Sequence, residues 1–247
     1  MQILATYNIK GGVGKTASTI NLAYLSAREG ARTLIWDLDP QGATTFYLRV
    51  TPRIKGGERK LLSKKQSLDD FIKATEYRRL HLLPADISYR NLDISLSQHK
   101  RPTRQFLKAL QPLAAEYDRI FLDCPPGISL VSENILTAAD AVLVPLIPTT
   151  LSLRSMEQVA DFSALNDVGE LELLFFFTMV DRRKRLHRDT MAELSAKTDH
   201  VLHTAIPYAS DVERMGVHRA PLAVFAAGRP ATLAYEELWA EIKARVG

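Results

Sequence analysis

The stretch Gln2-Ile3-Leu4-Ala5-Thr6-Tyr7-Asn8-Ile9-Lys10-Gly11-Gly12-Val13-Gly14-Lys15-Thr16 decides the fold. Gln2 to Tyr7 is a short apolar run that reads as a strand. Glycines at 11, 12 and 14 follow, and then a helical pattern from Lys15 to Glu29, with Gly30 at the left-handed stop position. A strand that turns through glycines directly into a helix is the context in which backbone N–H groups curl around an anion. The positive end of the helix dipole lies at the same place. Lys15 is positioned to reach phosphate oxygens, and the Thr16 hydroxyl to ligate Mg²⁺. Against the plain pattern G-x-x-x-x-G-K-[ST], the first glycine is replaced by Ile9, and the loop carries an additional lysine, Lys10.

The rest of the chain continues the alternation of short apolar runs and helical patterns. Strands are expected at Arg32 to Leu38, Leu80 to Leu83, Arg119 to Asp123, Ala141 to Leu146, Glu172 to Thr178 and Val201 to Ile206. Helices are expected at Pro102 to Glu116, Ser155 to Leu165, Asp189 to Thr198 and Thr232 to Val246. Several strands are apolar throughout, as required when both faces are covered. The fold class is therefore α/β, a mostly parallel twisted sheet of about seven strands flanked by helices on both faces. No repeat or linker divides the chain, so residues 1–247 read as a single domain. Thr51 to Ser67, with Gly56-Gly57 and several lysines, reads as a mobile loop or a poorly ordered insertion.

Composition narrows the function. The 247 residues include 32 Lys plus Arg and 28 Asp plus Glu, a net charge of +4, with 46% hydrophobic residues. A chain of this length buries roughly three quarters of the surface it exposes when unfolded, enough to need no metal or disulfide staple. Apolar runs such as Leu171 to Val180 fall short of the roughly 20 residues of a membrane span. The N-terminus lacks the pattern of a secretory signal, which points to the cytoplasm. Cys124 is the single cysteine, too few thiols for a cluster or disulfide within one chain. The six histidines show no ligand spacing. Charge is segregated: Arg49 to Lys65 holds +6 and Arg182 to Arg188 holds +5, leaving −7 for the remainder. Such segregation suits contact with a polyanion, and equally suits two solvated loops.

The loop Lys10-Gly11-Gly12-Val13-Gly14-Lys15-Thr16, with its leading lysine, resembles the deviant Walker A box of the ParA/MinD family of P-loop ATPases. Asp37-Leu38-Asp39-Pro40-Gln41-Gly42 resembles that family's D-x-D-P-Q-G switch. Arg119 to Gly127, with Asp123-Cys124-Pro125-Pro126-Gly127, resembles its Walker B strand and second switch. The tail from Ile206-Pro207 onward is also similar, so the resemblance spans most of the chain.

The resemblance implies ATP and Mg²⁺ as cofactors, with Gly11, Gly12, Val13, Gly14, Lys15, Thr16 and Ala17 around the phosphates. Thr16, Asp123 and Asp37 would stand at the metal, and Asp39 would orient the attacking water. Two of these carboxylates have rival structural readings, Asp123 as a helix cap and Asp39 as part of an Asp-Pro turn. Lys10 would reach the phosphates of a second subunit in a nucleotide-sandwich homodimer. Ala17 departs from the hydroxyl residue common at that position. Met179, Asp181 and Pro207 lie on the loops where the family holds adenine.

Many relatives bind DNA without sequence preference as ATP dimers and position a cargo, stimulated by a cargo-linked adaptor protein. The DNA candidates here are Arg182, Arg183, Arg185, Arg188, Arg214, Arg219 and Arg229. Tyr208 stands where chromosome-segregating relatives carry an arginine, and Asp211 falls where basic residues are usual. With the phosphate loop starting at Lys10, the helix-turn-helix domain of some plasmid members is not expected. The implied function is an ATP-hydrolysing dimerisation switch that partitions a plasmid, chromosome or protein organelle, cytoplasmic and nucleoid-associated. A metabolic synthetase acting on a small carboxylic acid, such as cobyrinic acid, is the first alternative. A MinD-like membrane-positioning ATPase is the second. It is disfavoured because Tyr235, Leu238, Trp239, Ile242 and Val246 are flanked by Glu236, Glu237 and Glu241, an acidic border that anionic lipid repels, so the stripe reads as core and no membrane partner is expected.

Overall fold

Strands that lack polar alternation need cover on both faces, and in the computed structural model of the chain they receive it. The structure describes residues 1–52, 54, 56–62, 67–166 and 171–247; of the first basic stretch, Arg53, Lys55, Lys64 and Lys65 lie outside the described residues. The strands are β1 (Gln2–Thr6), β2 (Thr33–Asp37), β3 (Lys73–Ala74), β4 (Leu80–Leu83), β5 (Arg119–Asp123), β6 (Ala141–Leu146), β7 (Glu172–Val180) and β8 (Val201–Pro207). They form one sheet in the order β3-β4-β2-β5-β1-β6-β7-β8. Every pairing is parallel except β3 with β4. The sheet is thus one strand larger than the sequence suggests, because the two-residue edge strand β3 is too short to leave a periodic signal.

The helices are α1 (Lys15–Arg28), α2 (Ala43–Tyr47), α3 (Gly57–Leu61), α4 (Leu92–Ser97), α5 (Gln105–Leu110), α6 (Leu130–Ala138), α7 (Leu151–Leu165), α8 (Arg185–Lys197), α9 (Ser210–His218), α10 (Leu222–Phe225) and α11 (Pro230–Val246). Successive strand residues point to opposite faces. Ile3, Ala5, Leu34 and Trp36 join one core with Phe106 of α5, Ile135 of α6 and Val159 of α7. Leu4, Ile35 and Phe121 join the other with Ile20 of α1 and Leu238, Trp239 and Ile242 of α11. The apolar stripe of the last helix is therefore core, as its sequence implies.

Three expectations are corrected. The segment Pro102 to Glu116 is not one helix: a 3₁₀ turn, Pro102–Arg104, leads into α5, and a second, Gln111–Ala115, follows it. Pro112 explains the break, since it lacks the N–H and crowds the carbonyl four residues back. Within Thr51 to Ser67, read as a loop, α3 forms, anchored by buried Leu61 and by the Ser95 hydroxyl donating to buried Glu58 at 3.2 Å. Helices α7 and α8 begin four residues earlier than their apolar patterns, at Leu151 and Arg185. In α8 the exposed first turn is basic and is supported by Arg185 paired with Asp189 at 3.3 Å. Helix α6, which lacks a sequence signature strong enough to anticipate, is fixed by a reciprocal cap between Ser129 and Ser132.

Trp239 ties α11 to the sheet. It packs on Phe121 with ring centroids 5.9 Å apart, donates to Glu29 at 3.1 Å and lies under the Arg119 guanidinium at 5.1 Å. Trp239→Ala is expected to lower unfolding stability by about 3–5 kcal/mol, read by urea denaturation, with the denaturant slope unchanged.

Candidate phosphate-binding site

Parallel strands end together, and their C-terminal ends concentrate the polar groups the apolar runs exclude. β1 lies between β5 and β6, and β5 lies between β1 and β2, so Thr6 is in register with Asp123 and Asp123 with Asp37. The loop from residue 8 to residue 14 rises over this edge. The Asn8 side chain anchors it, accepting from the Lys10 N–H at 2.9 Å and donating to the Pro145 carbonyl at 2.8 Å. Gly12 and Gly14 adopt φ of 73° and 90°, the left-handed region where a side chain would be strained. Among the described residues, the N–H groups of residues 11–14 have no internal acceptor. They form an open concavity of donors at the start of α1, a geometry that accepts phosphate oxygens.

Below the loop, Asp123 is buried and collects three hydroxyl donors: Thr16 at 2.9 Å, Thr44 at 2.7 Å and Thr19 at 3.4 Å. Asp37, also buried, accepts from the Thr45 N–H at 2.8 Å and its hydroxyl at 2.6 Å on one oxygen. Its other oxygen, Oδ1, has no partner among the described residues. Burial pushes both carboxyls above their ordinary values, and for Asp37 the neighbouring Asp123 charge adds to the effect. Burial likewise lowers the Lys15 ammonium, against the charges around it. Lys15 Nζ donates to the Lys10 carbonyl at 2.8 Å, across the mouth of the loop. The Lys10 side chain turns the other way, to the Leu151 carbonyl at 3.1 Å.

The donor set fits Mg²⁺: a threonine hydroxyl, the Asp123 carboxylate in contact with it, and an unpartnered Asp37 oxygen behind are hard oxygen ligands. Asp39 is half-buried at the rim. Its Oδ1 accepts from the Gln41 N–H at 2.9 Å, so the Asp-Pro turn expected as its rival role does form.

The loops expected to hold a base are brought together in part. Met179 and Pro207 line a small apolar pocket of about 60 Å³ with Gly14, Ala17, Ile206 and Tyr235. Met179 stands at the end of β7 with φ of 53°, a strained conformation for its side chain. Asp181 does not line this pocket. The Arg183 guanidinium holds its carboxyl at 2.9 Å and draws it down to about 2.

Of the arginines expected to meet DNA, all are exposed or half-exposed, and six have internal partners. Arg183 pairs with Asp181 and Arg185 with Asp189; Arg188 donates to the Arg182 and Arg183 carbonyls. Arg214 and Arg229 both approach Asp211. Arg219 is committed to the fold: it donates to the Phe46 carbonyl at 2.9 Å and stacks 4.4 Å over the Phe46 ring. In return Arg49 donates to the His218 carbonyl at 2.9 Å and the Arg219 carbonyl at 3.4 Å. Both residues have positive φ, 58° and 49°. The C-terminal ends of α2 and α9, each a cluster of unsatisfied carbonyls, are thus capped by an arginine from the other.

Thr44 and Thr45 are the functional residues that sequence reading misses. Their signal is faint, two hydroxyls shortly after the Asp37 to Gly42 segment, and only the five-residue α2 turns them toward two different carboxylates.

A family model described as an AAA domain matches residues 1–168. The chromosome-partitioning ATPase Soj of Treponema pallidum is 31% identical over 252 aligned residues, covering 99% of this chain and 98% of that protein. Among solved structures, cobyrinic acid a,c-diamide synthase from Mycobacterium smegmatis with bound ADP and magnesium matches with a TM-score of 0.84 at 26% identity, over 99% of this chain and 95% of that one. A putative plasmid partition protein from Borrelia burgdorferi B31 bound to AMPPNP matches at 0.87 and 22% identity, over 99% of each chain.

A carboxyl whose folded pKa is raised stabilises the fold in its protonated form, and that stability is lost as pH rises from the ordinary carboxylate range toward the raised value. Asp37→Asn should therefore make the magnesium- and nucleotide-free protein more stable than wild type at neutral pH and flatten its stability between mildly acidic and neutral pH. Urea unfolding across that range checks this, and a variant with the wild-type pH profile would show that Asp37 is not the group responsible.

Proposed function

The chain belongs to the ParA/MinD family of P-loop ATPases, and from that premise we propose that it is a Mg²⁺-dependent ATPase acting as a dimerisation switch, binding DNA non-specifically in its ATP state and partitioning or positioning a cargo with an adaptor protein. In this reading residues 1–247 work as one ATPase domain in the cytoplasm, associated with the nucleoid. The cargo class, plasmid, chromosome or protein organelle, is set by the adaptor.

The observation that carries the proposal is the divergence of the two loop lysines. Lys15 spans the mouth of its own loop, while Lys10 leaves it for the rim at Leu151. A cation turned out of its own site supports a role in trans, stabilising phosphoryl charge in a second subunit as an arginine finger does. Gly11, Gly12, Val13, Gly14 and Lys15 cradle the triphosphate, and Ala17 leaves its backbone N–H near the α-phosphate. Thr16 and Asp123, with Asp37 behind, would hold Mg²⁺, which when bound would supply neutralisation of phosphate charge. Asp39, whose Oδ1 is held by the Gln41 N–H, accepts a hydrogen bond from the attacking water on its other oxygen and aims it in line. Met179 and Pro207 flank the base.

The fold shared with cobyrinic acid a,c-diamide synthase at 26% identity supports a second reading, an ATP-dependent synthetase acting on a small carboxylic acid. The full-length similarity to a partitioning ATPase at higher identity favours the first. A membrane-positioning role has less support: no described helix is long and apolar enough to cross a membrane, and of the stripe Tyr235, Leu238, Trp239, Ile242 and Val246 on α11 the first four are buried in the core.

Lys10→Ala should abolish ATP-dependent dimerisation in analytical ultracentrifugation, and a persistent dimer would remove the cross-subunit role. Asp39→Ala should bind ATP but turn it over about 10²-fold more slowly in a phosphate-release assay. Turnover undiminished by that change would take Asp39 out of the mechanism. A synthetase would instead show turnover that depends on an added small carboxylic acid.

A further inference from the structure

A third cluster of positive charge lies apart from the two basic stretches that stand out in the sequence. Between Ile94 and Ala115 there are four basic residues, Lys100, Arg101, Arg104 and Lys108, and no acidic residue. They line an open cleft of about 660 Å³ along the 3₁₀ turn and α5, with His99 beside them and Leu107 as its one apolar side chain. All four cations are exposed, and none has an ion-pair partner among the described residues. The contrast with Arg182 to Arg188, Arg214 and Arg229 is direct, since those arginines mostly face their own carboxylates or carbonyls. Clustered like charge repels itself and is compensated by a bound anion.

The face is also held rigidly. Phe106 and Leu110 on its inner side are fully buried. Asn134 of α6 accepts from the N–H groups of Gln105 and Phe106 at 2.9 and 3.2 Å and donates to the Pro102 carbonyl at 2.7 Å. Arg101, Arg104 and Lys108 recur at spacings of three and four along the 3₁₀ turn and α5 and line the same cleft.

The ligand class follows from what lines the cleft. A free nucleotide or a single strand is recognised in part by stacking, and no Phe, Tyr or Trp lines the cleft. A row of exposed cations suits the backbone of a duplex, which carries a charge every ~1.7 Å of its axis. We propose that Lys100, Arg101, Arg104 and Lys108 form a duplex-DNA backbone contact of this protein, a surface separate from the Arg182–Arg188 segment. The proposal rests on the DNA-binding reading above and specifies where on the chain that binding occurs.

The test is a salt titration of a labelled duplex of arbitrary sequence binding to the full chain with ATP and Mg²⁺. Wild type, the triple variant Arg101→Gln, Arg104→Gln and Lys108→Gln, and Arg182→Gln are compared, each first checked for wild-type unfolding and unstimulated ATP hydrolysis. The triple variant should weaken binding about tenfold or more and reduce the log–log salt slope by about 2–3, whereas Arg182→Gln should change the slope by no more than about 1. A triple variant that binds the duplex as wild type does overturns the assignment and leaves DNA binding itself intact. Wild-type protein that binds no duplex in any nucleotide state overturns the DNA reading and this surface together. Polyglutamate binding lost in the triple variant while duplex binding is untouched assigns the face to an acidic protein segment instead.

Discussion

Two aspartates sit side by side, in register, at the C-terminal ends of β2 and β5, and neither has access to bulk water. Like charges brought this close in an apolar setting cannot both be accommodated without help. Much of the surrounding structure supplies it. Hydroxyls from α1 and α2 are drafted in, Thr16 and Thr19 from one and Thr44 and Thr45 from the other. Lys15 is held above, its ammonium pKa lowered by the same burial. The strands that deliver the aspartates are apolar on both faces because the sheet is covered twice, and that double cover is what makes the end of the sheet dry. A dry site in which charge is already concentrated is one where an incoming cation and polyanion find strong, oriented partners, since interactions there are weakly screened.

The sequence makes one half of this legible and hides the other. Strand positions can be read from Leu34 to Trp36 or Phe121 to Leu122, because burial on both faces leaves an unbroken apolar run. The loop at Lys10 to Thr16 is equally plain, as glycines at positive φ have few substitutes. The support for the carboxylates is not legible. Thr44 and Thr45 lie in a five-residue helix with no period to detect, and their partners are 79 and 8 residues away. The length of α5 is misread because Phe106, Leu110 and Leu113 keep a helical spacing through Pro112, which breaks the hydrogen bonding without breaking the apolar stripe. Asp181 looks like a base-binding residue by its place after β7, and its neighbour Arg183 claims it by simple proximity.

Charge shows the same division. Counting basic residues along the chain highlights Arg182 to Arg188, where they are densest. In three dimensions density matters less than what is left over after local pairing, and carboxylates such as Asp181, Asp189 and Asp211 use up much of that charge. The sparser row from Lys100 to Lys108 keeps all of its own because the nearest acids in sequence, Asp93 and Glu116, lie beyond both ends of the segment. Asp93 is further occupied in accepting the Val131 N–H at the start of α6.

The exchange of arginines between the ends of α2 and α9 has a consequence for how distant parts of the molecule feel one another. The same short helix that presents Thr44 and Thr45 to the two aspartates is fastened, one turn later, to the helix that carries Arg214. Gly216 leaves room there for the Tyr47 ring, which a side chain at that position would meet at 3.4 Å. A five-residue helix has no slack in which to absorb a shift at one end. Whatever redirects the threonines must break the arginine exchange or carry α9 along. Those contacts connect the two ends of the strut, and any coupling carried through them acts equally in both directions.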